Sequence, residues 1–213
     1  MFDNLQGFFE STTGQITTVV VIAIMFFLIL ILGGQDNKYN VKGLTISAVL
    51  VAMAMILSNI KLFEMPQGGS VTAFSMLPIV LVGYLLGPRQ GILAGFALGL
   101  LNLIFGPYVI HPIQLLIDYP FAFGALGLSG FCRNMDHGLI KGYLLGIFGR
   151  YVMAVLSGVI FFGMYAPEGM SPFVYSVTYN GSYLAAEAAI TLILLCVPAV
   201  RKALATVKTQ ALA

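Results

Sequence analysis

Apolar residues fill seven stretches of this chain, 16–32, 44–60, 71–86, 91–105, 113–131, 142–162 and 182–200, and only Asp118, Arg150 and Glu187 carry charge inside them. A helix of roughly 20 apolar residues matches the hydrocarbon thickness of a bilayer. Gly, Pro or charge bounds each stretch, so the pattern predicts seven transmembrane helices joined by short loops. With 59% apolar and 8% charged residues, the chain lies far from the composition of a water-soluble domain. Seven crossings consume nearly all of its 213 residues, which leaves no room for a separate soluble catalytic domain. The expected fold class is an all-α integral membrane protein of the plasma membrane.

Lys and Arg concentrate on the cytoplasmic side of membrane proteins, which orients the helices. With seven spans, Lys38, Lys42, Arg89, Arg133, Lys141, Arg201, Lys202 and Lys208 share one side, Lys61 stands alone on the other, and Arg150 lies within a helix. The expected topology is N-terminus out and C-terminus in. The first stretch has no basic residue before it and no small-x-small site after it, so it reads as a retained helix rather than a cleaved signal. A net charge of +2 provides no nucleic-acid footprint, and Cys132 and Cys196 have no metal-ligand spacing and read as free thiols.

Asp118 is the most informative residue. It lies about five residues into the fifth span, roughly 8 Å deep at about 1.5 Å per residue, where a carboxylate marks a pathway or a bound cation. A structural pair with Arg150 is the alternative. Glu187 is a second intramembrane carboxylate, with Arg150 as its expected counter-ion. The outer loops, 64–70, 106–112 and 164–179, are rich in Gly, Pro, Tyr and amides. Tyr108, Tyr119, Tyr165, Tyr175 and Tyr179 near one membrane face suit a stacked planar ligand or an interfacial aromatic belt. Asn180, expected at the outer start of the last span, suits a helix cap or a ligand contact. His111, between loop residues, reads as a hydrogen-bonder, and His137 beside Asp136 as a solvated side chain.

Ala48 and Ala52 form a small-x-x-x-small face on the second span, which reads first as internal packing and alternatively as a partner-docking surface. There is no Gly-x-x-x-x-Gly-Lys-Ser/Thr phosphate loop, so ATP-driven work would fall to partner subunits. The motifs His-Glu-x-x-His and Gly-x-Ser-x-Gly are absent too, and nothing argues for an enzyme or for a bound metal or cofactor.

Four ordered segments carry a family resemblance: Met65-Pro66-Gln67-Gly68-Gly69-Ser70-Val71-Thr72, Gly106-Pro107-Tyr108-Val109-Ile110-His111-Pro112-Ile113-Gln114, Asp118-Tyr119-Pro120, and Tyr175-Ser176-x-x-Tyr179-Asn180-Gly181. Over about residues 44–200 the chain resembles the ThiT/YuaJ family of thiamine transporters, the substrate-binding S components of energy-coupling factor (ECF) transporters. The resemblance implies a six-helix bundle that binds thiamine from outside with high affinity. It then delivers thiamine inward when docked on a transmembrane coupling subunit and two cytosolic ATPases. It also implies that Asp118 and Tyr119 engage the ligand, that Tyr108 lines the site from a loop, and that Tyr175 and Asn180 hydrogen-bond the ligand from the last helix. The Ala48/Ala52 face becomes the docking candidate.

On this reading the chain divides into an extra N-terminal helix and loop (1–43), a six-helix substrate-binding domain (44–200) and a basic cytoplasmic tail (201–213). Some family members place a Glu, a His and a Trp where this chain has Ala73, Ala154 and Phe162, and the chain has no Trp. A thiamine precursor or another small heterocycle therefore stays open as ligand. A solitary proton-coupled carrier using Asp118 or Glu187, and an intramembrane enzyme acting on a lipid or isoprenoid, are the competing mechanisms.

Overall fold

The computed structural model describes residues 7–8, 11–32 and 41–212. The expected loop after the first helix, with Lys38, lies outside the described residues. Among the described residues eight long helical rods follow in order: α1 (Thr12–Leu32), α2 (Val41–Ser58), α3 (Leu77–Leu86), α4 (Pro88–Asn102), α5 (Pro112–Cys132), α6 (Gly138–Phe161), α7 (Pro172–Cys196) and α8 (Pro198–Leu212). A two-stranded antiparallel hairpin, β1 (Lys61–Glu64) and β2 (Ser70–Thr72), joins α2 to α3.

Among the described residues, α1, α2, α5, α6 and α7 are long and apolar enough to cross a bilayer. The third and fourth expected spans are shorter. At 10 and 15 residues, α3 and α4 extend about 15 and 22 Å, against a hydrocarbon core of about 30 Å. The reason is local: of residues 71–76, expected to be helical, the first two finish β2 and the other four form a bend and turn, and Gly87, at φ 102°, turns the chain sharply between Leu86 and Pro88. Nine of the ten α3 residues are buried, so this helix is enclosed by the others rather than by lipid.

Glycines set the closest approach in the bundle. On α4, Gly91, Gly95 and Gly99 recur every fourth residue, and a Cβ at Gly95 would lie 2.2 Å from the Phe123 carbonyl oxygen on α5. Gly127 answers from α5, where a Cβ would lie 2.1 Å from the Ile92 nitrogen. Backbones in contact replace side-chain interdigitation, the small-residue packing typical of membrane helices. By contrast Ala48 and Ala52 are exposed on α2, which buries Gly43, Val51 and Ala54 instead. The internal-packing reading of the alanine face is therefore corrected: the face points outward.

Two further expectations change. The last span does not start at residue 182. Ser171 accepts a hydrogen bond from the Val174 N–H and Pro172 opens the first turn, so α7 begins ten residues earlier and contains Tyr175, Tyr179 and Asn180. The segment expected to be a basic tail is helical to Leu212. It returns under the bundle at the end opposite the hairpin, where the Lys208 ammonium donates to the Arg133 carbonyl at 2.7 Å and lies 4.1 Å from the Tyr84 ring centroid.

Glu187 ties the hairpin to the helices. Its carboxylate accepts from the backbone N–H groups of Thr72 (3.0 Å) and Met76 (3.3 Å) and from the hydroxyls of Thr72 (2.7 Å) and Ser75 (3.1 Å). The residue is buried, so these donors take the place of water and of a counter-ion. Met76 immediately precedes α3, where a negative charge also meets the positive end of the helix dipole. Glu187→Gln presents an amide NH2 to groups that are themselves donors. It should lower stability by about 1–3 kcal/mol per donor left unpaired, read as a drop in thermal unfolding temperature of the purified protein in detergent.

Candidate functional site

The hairpin and the helix ends on its side of the bundle enclose a cavity of about 250 Å³. Asp118, Tyr119, Tyr108, Tyr175 and Asn180, the five residues singled out by sequence as ligand contacts, all line it. They reach it from α5 and the loop that leads into it, and from α7, more than 50 residues further on.

The Asp118 position depends on a break in α5. His111 opens the helix, its Nδ1 accepting from the Ile113 N–H at 3.2 Å, and Pro112 supplies the first turn. Pro120 has no N–H to donate, so the regular ladder cannot pass through it. Residues Ile117–Phe121 widen into a π-turn, and the Ala122 N–H reaches back five residues to the Ile117 carbonyl. Such single π-turns inside helices recur at functional sites. Here the turn carries Asp118 and Tyr119 at the cavity wall while Ile117 and Phe121 are buried behind them.

Gln114 organises this wall. Its amide Nε2 donates to Asp118 Oδ2 at 2.6 Å and to the Tyr108 carbonyl at 3.1 Å, while its Oε1 accepts from the Ile110 N–H at 3.2 Å. The Tyr119 hydroxyl accepts from the Tyr108 N–H at 2.9 Å. The loop and the helix thus form one hydrogen-bonded unit. The Tyr108 phenol lies 3.0 Å from that of Tyr165, a contact that raises the Tyr108 pKa above its usual value.

On the opposite wall Tyr175 and Tyr179 stack with centroids 5.6 Å apart, and Tyr183 meets Tyr179 edge-on at 5.9 Å. The Tyr179 hydroxyl accepts from the Gly69 N–H at 3.0 Å and donates to the Pro66 carbonyl, which closes the hairpin turn over the cavity. That turn needs Gly68, at φ 89°, next to Gln67 at φ 60°. Asn180 is buried, donating to the carbonyls of Ala154 (3.2 Å) and Ser176 (2.9 Å) and accepting from the Tyr183 hydroxyl at 2.9 Å. It lies well within α7, so the helix-cap alternative for Asn180 is corrected. The buried Ser176 hydroxyl lines the same wall with no hydrogen-bond partner.

Arg150 overturns both pairings expected of it. It lines the cavity, yet neither Asp118 nor Glu187 lies within ion-pair distance of its guanidinium, and among the described residues the ion pair found joins Lys61 to Glu64 on the hairpin. The guanidinium sits instead over the Phe123 ring at 4.1 Å, where the ring's electron-rich face replaces a carboxylate. The cavity is therefore lined by two carboxylates, the Arg150 guanidinium and Lys61, with Lys61 paired to Glu64, Glu187 engaged by its own donors and Asp118 hydrogen-bonded to the Gln114 amide. Sequence reasoning missed Gln114, Ser176 and Tyr183 as wall residues. Gln114 precedes Asp118 by one helical turn, and that spacing was the available signal.

Comparison with known proteins agrees with this geometry. Residues 44–206 match the family described as Thiamine transporter protein (Thia_YuaJ). Thiamine transporter ThiT of Bacillus subtilis is 37% identical over 165 residues, covering 70% of this chain and 85% of the relative. The ThiT of Lacticaseibacillus paracasei is 31% identical over 156 residues, 63% of this chain and 75% of the relative. The solved structure of ThiT from Listeria monocytogenes superposes with a TM-score of 0.64 at 26% identity, over 72% of this chain and 90% of that one. Together with its apolar helices, these matches show that the chain is a multi-pass protein of the plasma membrane and a member of the Thia_YuaJ family, transporters rather than enzymes.

Proposed function

We propose that this chain captures thiamine in the outer cavity and delivers it across the membrane as the S component of an ECF transporter. The observation that carries the reading is Asp118, an intramembrane carboxylate lining a cavity walled by tyrosines and lacking an ion-pair partner. Thiamine supplies the complement, since its thiazolium is cationic and its aminopyrimidine is planar and bears an amino donor. A cation over aromatic faces and a charge-assisted hydrogen bond to a carboxylate both gain strength away from water. Asp118, a carboxylate without an ion-pair partner among the described residues, favours a cation over an anion.

Asp118→Asn keeps the shape of the side chain and removes its charge. It should weaken thiamine binding by roughly 10- to 150-fold, the equivalent of about 1.5–3 kcal/mol, in a calorimetric or fluorescence titration. Tyr119→Ala and Asn180→Ala should weaken binding as well, whereas His137→Ala, on an exposed residue at the far end of the bundle, should not. Parent-like affinity in Asp118→Asn would remove the carboxylate from the site. A panel of thiamine precursors and related heterocycles in the same titration identifies the preferred ligand.

The coupling reading rests on α2. Ala48 and Ala52 are exposed, flanked by the exposed Val49 and Met53, and so offer a shallow apolar strip that a partner helix could approach closely. No phosphate loop occurs in the sequence, so the energy of ATP would come from cytosolic subunits beneath a transmembrane coupling subunit. Replacing both alanines by Leu should abolish uptake in cells carrying the whole transporter while thiamine binding by the isolated chain persists. Uptake by the chain alone in proteoliposomes, driven by a pH gradient, would select a proton-coupled carrier instead.

Seven spans with the N-terminus outside remain our topology, because the loop charges are so unevenly divided. A single cysteine introduced at Gly68 or Glu168 should react with an impermeant thiol reagent applied to sealed cells, in a background lacking Cys132 and Cys196. One at Asn134 should react only after permeabilisation.

A further inference from the structure

The family match begins at residue 44 and leaves α1 outside it. Lipid anchorage alone does not explain how α1 is packed. One face of the helix, with Val20, Val21, Ile24, Phe27 and Ile31, is exposed and apolar, as a lipid-facing surface is. The other buries Ile22 and Phe26, at 5% and 2% exposure, against the back of the π-turn. Phe26, Phe96 of α4 and Phe121 of the π-turn form a closed triad with centroids 5.4, 5.5 and 5.5 Å apart. Gly124, directly after the turn, makes room for it, because a Cβ there would sit 3.3 Å from the Phe26 ring and 3.1 Å from Phe96.

Irregular backbone at membrane depth persists only where protein covers it, since hydrocarbon offers no hydrogen bonds. The π-turn faces the cavity on one side and is covered elsewhere by α4 at Gly99, where a Cβ would lie 2.5 Å from the Tyr119 carbonyl oxygen, by α6, and by α1 at Phe26. We propose that α1 braces the ligand-binding π-turn, with Phe26 as a positioning residue that fixes Asp118 through Phe121 without reaching the cavity. The inference rests on the reading that Asp118 engages thiamine. Phe26 and Asp118 then act through one rigid turn, whereas Asn180 stands on α7 and is served by separate contacts.

A double-mutant cycle on the full-length chain separates a brace from general stabilisation. Phe26→Ala should weaken thiamine binding about tenfold in the parent and in Asn180→Ala, but by less than about twofold in Asp118→Asn, where the contact it positions is already lost. Phe26→Leu, which keeps the turn packed, should restore most of the affinity. Phe27→Ala, on the lipid-facing side of the same helix, should bind like the parent. Equal penalties for Phe26→Ala in all three backgrounds, or none while Asp118→Asn is weak, overturn the brace. Parent-like binding by Asp118→Asn overturns the site assignment itself. If Phe26→Ala does not yield folded protein, the cycle is read with Phe26→Leu, for which a residual loss of about threefold, confined to backgrounds retaining Asp118, is expected and its absence is equally decisive.

Discussion

A hydrocarbon interior satisfies no backbone group, and the architecture of the half that carries the cavity follows from that constraint. Pro120 breaks the α5 ladder and the resulting π-turn is enclosed by neighbouring protein, while the hairpin, whose first strand is exposed, pairs its backbone groups across its own two strands. The glycine face of α4 makes the enclosure tight by bringing its backbone against the carbonyls of Tyr119 and Phe123. A helix with larger residues at Gly95 and Gly99 would stand farther off, and the π-turn would lose the wall behind it. The break that presents Asp118 and the glycines that tolerate it therefore belong to one solution.

The two intramembrane carboxylates show how environment assigns different tasks to the same chemistry. Glu187 meets four donors from a short stretch of loop and helix start, so its negative charge is satisfied by the fold and serves to hold the hairpin. Asp118 meets a single amide from its own helix. A charge stabilised so incompletely by protein gains most from a ligand that brings its own positive charge. Arg150 makes no ion pair with it, its guanidinium sitting over the Phe123 ring instead.

The periodic and compositional parts of this arrangement were legible in the sequence. The apolar runs located the helices, Asp118 stood out because charge is rare within such runs, and the ordered segments around Gly68, Tyr108, Asp118 and Tyr175 pointed to the family and to five residues that share one cavity. Hydropathy failed where a helix lines a polar cavity. The first turns of α7 carry Tyr175, Ser176, Tyr179 and Asn180, which lowered the apolar signal although Ser171-Pro172 marked the start. The fate of Arg150 was not legible either, because choosing between two carboxylates and an aromatic face requires three-dimensional distances. Nor did alternating small residues on α2 and α4 reveal which face turned inward: Gly91, Gly95 and Gly99 pack, while Ala48 and Ala52 do not.

That last contrast bears on how binding and docking would communicate. The outward alanines lie in the middle of α2, and the end of the same helix reaches the cavity through Ser58 and Asn59 before the chain enters β1. Only a few α2 residues are buried, so the helix is held less deeply than α3, which is enclosed along nearly its whole length. A partner pressing on Ala48 and Ala52 would therefore act on a weakly embedded rod whose far end leads directly into the hairpin. The hairpin is fastened at its base by Glu187 and at its tip by Tyr179. The tip is the looser attachment, held by the half-buried Tyr179 hydroxyl at Gly69 and Pro66 and by the Tyr175 hydroxyl reaching Gln67 at 3.5 Å, against four donors around a buried carboxylate. Strain entering along α2 would accordingly part the Tyr179 contact first and open the cavity from the side of the hairpin turn, while Glu187 keeps the strands in register.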